Sequence, residues 1–288
     1  MLGILLHMGT HDVVHFVPAA NNEFGKRLGS QDADTNGTVM VLMYHHTGPT
    51  EKNMFRSYEN FRHDLERLYE MNYRPVTVRE YVENKMPLPP GASPVVFTFD
   101  DSHADQFHML PDGSVDPHSF VGIWMEFAKS HPEFPVHCTF YPNVNGPWNQ
   151  KEWLPKKLEM LKQWKCEIGN HTARHLNLKK LSDEQVKKEI AECSDMVEGL
   201  GFEPVSFCYP FGNMPTNMNI ITKGFDYKGK TYKFSSATLA GDRPALPTSS
   251  PKWDRYKIAR VQAYPGAEGI DWWLDKVGQG KSTPYVQR

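Results

Sequence analysis

The 288-residue sequence lacks the features that define several large classes of protein. No apolar run approaches the roughly 18 residues that a membrane-spanning helix needs, and no glycine-rich phosphate-binding loop is present. Thirty-two basic residues are balanced by 34 acidic ones, for a net charge of −2, which leaves no positive excess to attract a nucleic acid. We therefore expect a soluble globular protein with neither a transmembrane segment nor a nucleic-acid partner.

Two further signals are missing: a disulfide or metal pattern among the cysteines, and a complete signal peptide. The four cysteines form no C-x-x-C pair and each stands in an apolar context, so we expect buried free thiols. They are Cys138, Cys166, Cys193 and Cys208. The N-terminus has no basic region, and its apolar run from Leu2 to Leu6 is shorter than the about 7–15 residues of a signal-peptide core. It is at best the remnant of an export signal.

A polar run, Ser30–Gly37, is typical of a linker, so we predict an N-terminal extension over residues 1–37 and one domain over 38–288. In this domain, strand-like runs alternate with helix-like patterns. The strand-like runs are 39–44, 95–99, 136–141, 166–169, 205–209 and 257–263. The helix-like segments are 58–71, 117–129, 154–164 and 183–200. About seven strands in β-then-α order predict an α/β fold, either a parallel barrel or a doubly wound sheet.

Two helix starts carry specific capping signals. Ser182 and Gln185 have the spacing of a capping box before the helix at 183–200. Asp116 and Pro117 supply a predicted N-cap and first-turn proline for the helix at 117–129.

Polar residues stand at the ends of four predicted strands: His45 with His46, Asp100 with Asp101, His171, and Pro210-Phe211-Gly212. In a parallel barrel the carboxyl ends of all strands meet on one face. We therefore expect these side chains to converge, although they are far apart in sequence.

The convergent residues have the chemistry of a metal site. His171 and His175 are four residues apart, which on a helical turn would place both imidazoles on one face, about 6 Å apart. Two imidazoles and one carboxylate bind a divalent ion and leave positions open. Asp100 and Asp101 point to different sides of the strand end, so one can bind the ion while the other acts as a base. A similar histidine spacing at the N-terminus has no following carboxylate, and there we expect a frayed tail or one that binds metal only adventitiously. Those histidines are His7, His11 and His15.

Three motifs resemble those of the polysaccharide deacetylases, carbohydrate esterase family 4. They are Thr98-Phe-Asp-Asp101, His171-Thr-Ala-Arg-His175 and Phe207-Cys-Tyr-Pro-Phe-Gly212. Two further segments, 41–45 and 73–81, fit the same family, and the resemblance spans roughly residues 38–265. It implies a single-domain, distorted (β/α) barrel that removes acetyl groups from N-acetylglucosamine-containing polysaccharide with the help of a divalent metal.

The resemblance also implies roles for individual residues. By position, Asp101, His171 and His175 would bind the metal and Asp100 would be the catalytic base. The backbone N–H of Phe211 would stabilise the oxyanion. Three residues are candidate substrate contacts, with acetylated polysaccharide or oligosaccharide as the expected partner. They are Tyr209, Pro210 and Trp272.

This sequence departs from the common pattern of the family at two places. It has no late Leu-x-His segment for the acid histidine, and Cys208 stands where many members carry an arginine that orients the base. For the acid we predict His45, because members with an N-terminal Met-Tyr-His segment resemble a circularly permuted subgroup. For the arginine we predict Arg260. His103 follows the acidic pair, and we expect a surface histidine there, with a ligand or substrate contact as the alternative.

Several alternatives stay open at the level of sequence. The substrate could instead carry an ester-linked acetyl group or be a small amide, because the loops around such a site determine which acylated molecule it accepts. A catalytically inactive glycan-binding protein is a further alternative. Zinc is the expected metal, but the same ligands accept Co²⁺, Ni²⁺, Mn²⁺ or Fe²⁺. A polymer of the cell envelope as substrate favours an extracytoplasmic location. Trp148, Trp272 and Trp273 could stack on sugars, although large aromatics are more often core residues.

Overall fold

The computed structural model describes residues 33–144 and 146–288. His7, His11 and His15 lie outside these described residues. The strands are β1 Met40–Tyr44, β2 His46–Gly48, β3 Phe55–Ser57, β4 Tyr73–Val76, β5 Ser93–Asp100, β6 Thr139–Tyr141, β7 Glu167–Ile168, β8 Ser206–Cys208, β9 Phe225–Tyr227, β10 Lys230–Tyr232, β11 Ser236–Thr238 and β12 Val261–Gln262. The α-helices are α1 Tyr58–Glu70, α2 Val78–Val82, α3 Phe120–Ser130, α4 Leu154–Gln163, α5 Asp183–Gly199, α6 Asn219–Thr222 and α7 Ile270–Gly278.

Seven parallel strands form a distorted barrel. The main sheet has the order β12-β1-β5-β6-β7, and β4 pairs with the first half of β5. The parallel pair β8–β11 completes the ring through two single bridges, Asn170 with Phe207 and Thr238 with Ile258. The predicted α/β fold with a parallel sheet is therefore confirmed.

Alternation along the strands decides which side chains face the barrel interior. In β5, Phe97 and Phe99 pack outward against the helices, while Val96 packs into the inner cluster. Successive residues of a strand point to opposite faces, so Thr98 and Asp100 face the same way as Val96. A strand that is buried throughout thus delivers a carboxylate to the inside of the barrel at its carboxyl end.

Of the two predicted helix N-termini, one was confirmed and the other was wrong. Ser182 and Gln185 form the predicted capping box of α5. The predicted start of α3 was wrong: its N-cap is Ser119, whose hydroxyl accepts the N–H of Gly122. Asp116 instead accepts the N–H of His118 at 2.9 Å, which makes a local turn ahead of the helix.

Several strands differ from the prediction, and β2, β3, β4, β9 and β10 were not predicted. β11, Ser236–Thr238, belongs to the barrel but was not predicted, because three small residues carry no periodic signal. The strand predicted over 257–263 is restricted to Val261–Gln262. All four cysteines are free and buried, as predicted.

The first described residues are tied to the end of the chain. The N–H of Tyr285 donates to the carbonyl of Thr38, and the N–H of Val286 donates to that of Asp34, both at 2.8 Å. Residues 34–38 are therefore part of the folded unit. Among the described helices, none combines the length and the apolar character that crossing a bilayer demands.

Candidate active site

A cavity of about 230 Å³ opens at the carboxyl end of the barrel. Eight of its lining residues were predicted from the sequence as site residues: His45, Asp100, Asp101, His171, His175, Tyr209, Phe211 and Arg260. Cavities of about 430 and 540 Å³ lie elsewhere, but they do not contain this convergence of carboxylates and imidazoles. The smaller cavity is therefore the candidate site, as expected for the carboxyl end of a parallel barrel.

Asp100 is bound by the guanidinium of Arg260. Nη1 and Nη2 of Arg260 donate to Oδ1 and Oδ2 of Asp100, each at 2.8 Å. Arg260 also donates to the carbonyl of Leu239 at 2.6 Å, the hydroxyl of Thr98 at 2.9 Å and the sulfur of Cys208 at 3.2 Å. Both charged side chains are buried. The network fixes the plane of the Asp100 carboxylate, since a bidentate pair constrains both oxygens.

The same network keeps Asp100 ionised. Burial by itself raises the pKa of this carboxyl, but the charges of Arg260 and His171 outweigh burial and hold the pKa well below its ordinary value. At neutral pH the group is a carboxylate with a fixed orientation.

Asp101 faces two imidazoles. Its Oδ1 is 3.6 Å from Nε2 of His171 and 3.7 Å from Nε2 of His175. Two ligands about 2.1 Å from a tetrahedral ion are about 3.4 Å apart, so these spacings suit a shared ion. Nδ1 of His171 contacts the carbonyl of Cys208 at 2.9 Å, whereas its buried Nε2 has no hydrogen-bond partner among the described residues. A divalent metal would supply the missing partner, so the donor set fits one.

In a second set of possible ligands, Asp100, His171 and Cys208, the ligand atoms also lie within 4.8 Å of one another. It fits a metal less well, because both oxygens of Asp100 and the sulfur of Cys208 already accept hydrogen bonds from Arg260. An ion there would have to displace a buried guanidinium. The first set, Asp101 with the two histidines, is the better candidate.

The two histidines meet without a helix, so the helical spacing on which their prediction rested was wrong. Residues after β7 form a turn in which Oδ1 of Asn170 accepts the N–H of Thr172 at 2.9 Å and Oγ1 of Thr172 accepts that of His175 at 3.1 Å. Thr172 and His175 have positive φ values of 65° and 54°. The turn brings the rings of His171 and His175 to 4.7 Å, edge to face.

His45 follows β1 and lies beside the base. Its Nε2 is 3.8 Å from Oδ2 of Asp100. Burial lowers the pKa of His45 to about 4, although Asp100 and Asp101 act in the opposite direction, so the imidazole is neutral at pH 7. Gln106 holds this region together, because its amide donates to the carbonyls of His45 at 2.7 Å and Asp100 at 2.5 Å.

The third motif forms one wall of the cavity. Tyr209 is buried, and its hydroxyl donates to the carbonyl of Tyr256 at 3.1 Å. Pro210–Gly212 form a 3₁₀ turn in which Phe211 has a φ of 57°. The Phe211 side chain is 63% exposed, and its ring lies 4.4 Å from that of His175. Pro210, the first residue of this turn, does not itself line the cavity.

The tryptophans lie away from the cavity. Trp148 is fully buried and packs edge to face on Phe140 at 5.2 Å, so a sugar-stacking role for it was wrong. Trp272 is 37% exposed on α7, and Trp273 donates from Nε1 to the carbonyl of Asp242 at 3.1 Å. Neither lines the candidate site.

Sequence reasoning missed several lining residues: Met43, Met54, Gln262 and Tyr264. Two of them could have been found by period-2 alternation, since Met43 precedes His45 by two positions and Gln262 follows Arg260 by two. Met54 and Tyr264 come from loops and carried no such signal.

Comparisons with known proteins agree with the fold. Residues 88–229 match the family model for polysaccharide deacetylase, whereas no curated protein matches the sequence significantly. Among solved structures, the chain is similar to the Streptococcus pyogenes deacetylase PplD in complex with acetate, with 17% identity and a TM-score of 0.59 over 83% of this chain and 98% of that one.

Two other solved structures share the fold. A polysaccharide deacetylase from Bacillus cereus has 19% identity and a TM-score of 0.60, over 84% of this chain and 69% of that one. IcaB from Ammonifex degensii has 19% identity and a TM-score of 0.54, over 84% and 96%. The chain is therefore similar to the polysaccharide deacetylase family over residues 88–229 and shares the fold of these solved structures.

Proposed function

We propose that this protein is a metal-dependent hydrolase that removes N-acetyl groups from a polysaccharide containing N-acetylglucosamine. One observation carries the proposal: two adjacent carboxylates have different partners. Asp100 pairs with Arg260, and Asp101 faces His171 and His175. A fixed, ionised base beside a three-ligand metal site provides the groups that amide hydrolysis requires.

Asp101, His171 and His175 would hold the ion, and we propose Zn²⁺, which two imidazoles and one carboxylate bind well. The same donors also accommodate Co²⁺, Ni²⁺, Mn²⁺ and Fe²⁺. When bound, a divalent ion acts as a Lewis acid toward the acetyl carbonyl.

The remaining steps belong to side chains and backbone of this chain. Asp100, oriented by Arg260, takes a proton from the attacking water. Oδ2 of Asp100 faces Nε2 of His45 at 3.8 Å, and the neutral His45 can receive that proton and deliver it to the leaving amine. The N–H of Phe211 donates to the oxyanion that forms on the acetyl group.

Substrate contacts follow from the walls of the cavity. Tyr209 and the Pro210–Gly212 turn would contact the acetylated sugar. Trp272, outside the cavity lining, would contact only a substrate that extends across the surface to α7. We further propose an extracytoplasmic site of action, because a cell-envelope polymer is found there.

The test is acetate release by zinc-loaded protein from N-acetylglucosamine oligomers, with acetylated xylan oligomers and a small cyclic amide assayed in parallel. Release from the first substrate, lost in Asp100→Asn, is the expected result. Release only from xylan would make the protein an O-acetyl esterase, and release only from the amide a small-amide hydrolase. Oligosaccharide binding without release from any substrate would make it a glycan-binding protein.

A further inference from the structure

Three stacked rings flank the candidate metal site. The ring of His46 lies on that of Phe55 with centroids 4.4 Å apart and planes 9° apart, and the ring of His103 lies on the other face of His46 at 3.6 Å and 21°. We call Phe55, His46 and His103 the ring stack. Its last member, His103, follows Asp101 by two positions.

The backbone turns sharply to bring His103 back to Asp101. Asp101 and Ser102 have φ values of 70° and 51°, a left-handed conformation that costs on the order of 1–3 kcal/mol for each non-glycine residue. Ser102 is buried, and its carbonyl accepts the N–H of Trp148 at 2.8 Å. The reversal places Nε2 of His103 at 3.4 Å from Oδ2 of Asp101.

The inner part of the stack is anchored. Nδ1 of His46 contacts Oδ2 of Asp105 at 2.8 Å, and the backbone N–H of His46 donates to the carbonyl of Met54 at 3.0 Å. His103 itself is one-third exposed. Its ring is therefore held mainly by His46 on one face and by Asp101 at its edge.

The two oxygens of Asp101 have different neighbours. Oδ1 faces Nε2 of His171 and Nε2 of His175, whereas Oδ2 faces His103. Partners that hydrogen-bond a metal ligand fix its orientation, and their loss typically weakens metal affinity about 10–100-fold. A donor on Oδ2 would leave Oδ1 as the single coordinating oxygen.

We propose that His103 is a positioning residue for the metal site: its Nε2–H holds Oδ2 of Asp101, and its stacking on His46 holds the imidazole in place. This inference rests on the metal site of the proposed function, but it does not depend on which substrate is hydrolysed. It also explains the strained backbone at Asp101 and Ser102, because this turn brings the side chain of His103 back to the Asp101 carboxylate.

The test is the dissociation constant of Zn²⁺, measured by competition with a chromogenic chelator. His103→Phe keeps a ring to stack on His46 but removes the donor, and we expect about 10-fold or greater weakening. His103→Gln restores an N–H donor and should lie within about threefold of the parent. His46→Ala removes the support and should weaken binding by less than His103→Phe. His63→Phe, at an exposed position on α1, is the matched control and should bind as the parent does.

Two results would overturn the inference. One is an affinity of His103→Phe within about twofold of the parent, well below the loss typical of such partners. The other is a loss as large as that of His175→Ala, since His103 would then be a ligand itself. The absorption spectrum of the Co²⁺-loaded protein gives a second readout, because reoriented Asp101 should shift the bands in His103→Phe but not in His63→Phe. Metal binding is measured without substrate, so a failure to release acetate would count against the proposed function and not against this inference.

Discussion

Arg260 and Asp100, 160 residues apart in sequence, form a buried bidentate ion pair inside the barrel. Arg260 precedes β12, and the sulfur of Cys208 in β8 accepts one of its hydrogen bonds. The small Cys208 side chain leaves room for a guanidinium that arrives from another strand. The third motif, Phe207–Gly212, contains no arginine. Arg260 instead contacts both oxygens of Asp100 and can orient this carboxylate.

Replacing Arg260 by Met should reduce deacetylation about 10-fold or more, as losing the partner of a functional group does. Asp100 would be left buried and unpaired, which costs about 3–5 kcal/mol of stability. Because Arg260 lowers the pKa of Asp100, its loss should also move the acid limb of the kcat/KM profile to higher pH. Steady-state kinetics across pH and urea unfolding measure the two effects.

Arg243, which is largely exposed, is the control position for that experiment, and Arg243→Met should match the parent. A deacetylation rate of Arg260→Met within about twofold of the parent would remove Arg260 from the account, since positioning partners contribute more than that.

Replacing His45 by Asn should lower turnover by about 10²-fold or more, the usual loss for a general acid. Its ring lies beside Asp100 and is not part of the Asp101 set, so zinc content should be unchanged. Turnover and zinc content are measured on the same preparation. Full activity in this variant would require another proton donor.

Zinc should raise the melting temperature through Asp101, His171 and His175. A ligand that binds only the folded state at 100 times its Kd stabilises by about 2.7 kcal/mol. His175→Ala should abolish the increase, whereas Cys208→Ala should retain it. The opposite pattern would indicate that the ion binds to the set containing Cys208.

The ion pair between the buried His137 and the partly buried Glu80, with Nε2 and Oε2 2.8 Å apart, should make stability depend on pH. Burial lowers the pKa of His137, but Glu80 outweighs burial and raises it above 6.5. Burial likewise raises the pKa of Glu80, but His137 outweighs that and lowers it below 4.5. The contribution of His137 to the free energy of unfolding is complete below pH 6.5 and is lost as pH rises through its raised pKa. The contribution of Glu80 is complete above pH 4.5 and is lost as pH falls through its lowered pKa.

The difference in unfolding free energy between the parent and His137→Gln should therefore be largest near pH 5.5 and smaller at pH 8.5. Urea unfolding at the two pH values measures it, with the exposed His63→Gln as the control. An equal difference at both pH values would mean that His137 is neutral throughout.

Much of the fold could be predicted because the strands are apolar, regular and followed by polar residues. Asp100 illustrates this: the run 95–99 predicts a buried strand, and its carboxyl end locates the acid at the mouth of a parallel barrel. The capping box of Ser182 and Gln185 could be predicted for the same reason, because its two residues are only three positions apart. Such features depend on neighbours in sequence and need no knowledge of the rest of the chain.

The remaining features depend on contacts that are distant in sequence. The strand Ser236–Thr238 is defined by its pairing with Ser206–Cys208 and not by its own composition. His171 and His175 meet through the side chains of Asn170 and Thr172, so their spacing of four suggested a helix that does not form. Trp148 is core because Phe140 packs on it. The return of His103 to Asp101 requires two left-handed residues, which no pattern in the sequence signals.

Acetate release from an N-acetylglucosamine oligomer by the zinc-loaded protein, run beside Asp100→Asn, tests the central claim most directly. The amide keeps the shape of Asp100 but cannot accept the proton, so we predict release by the parent and a loss of about 10²-fold or more in the variant, with zinc still bound. Equal release by both proteins, or no release by the zinc-loaded parent, would contradict the account.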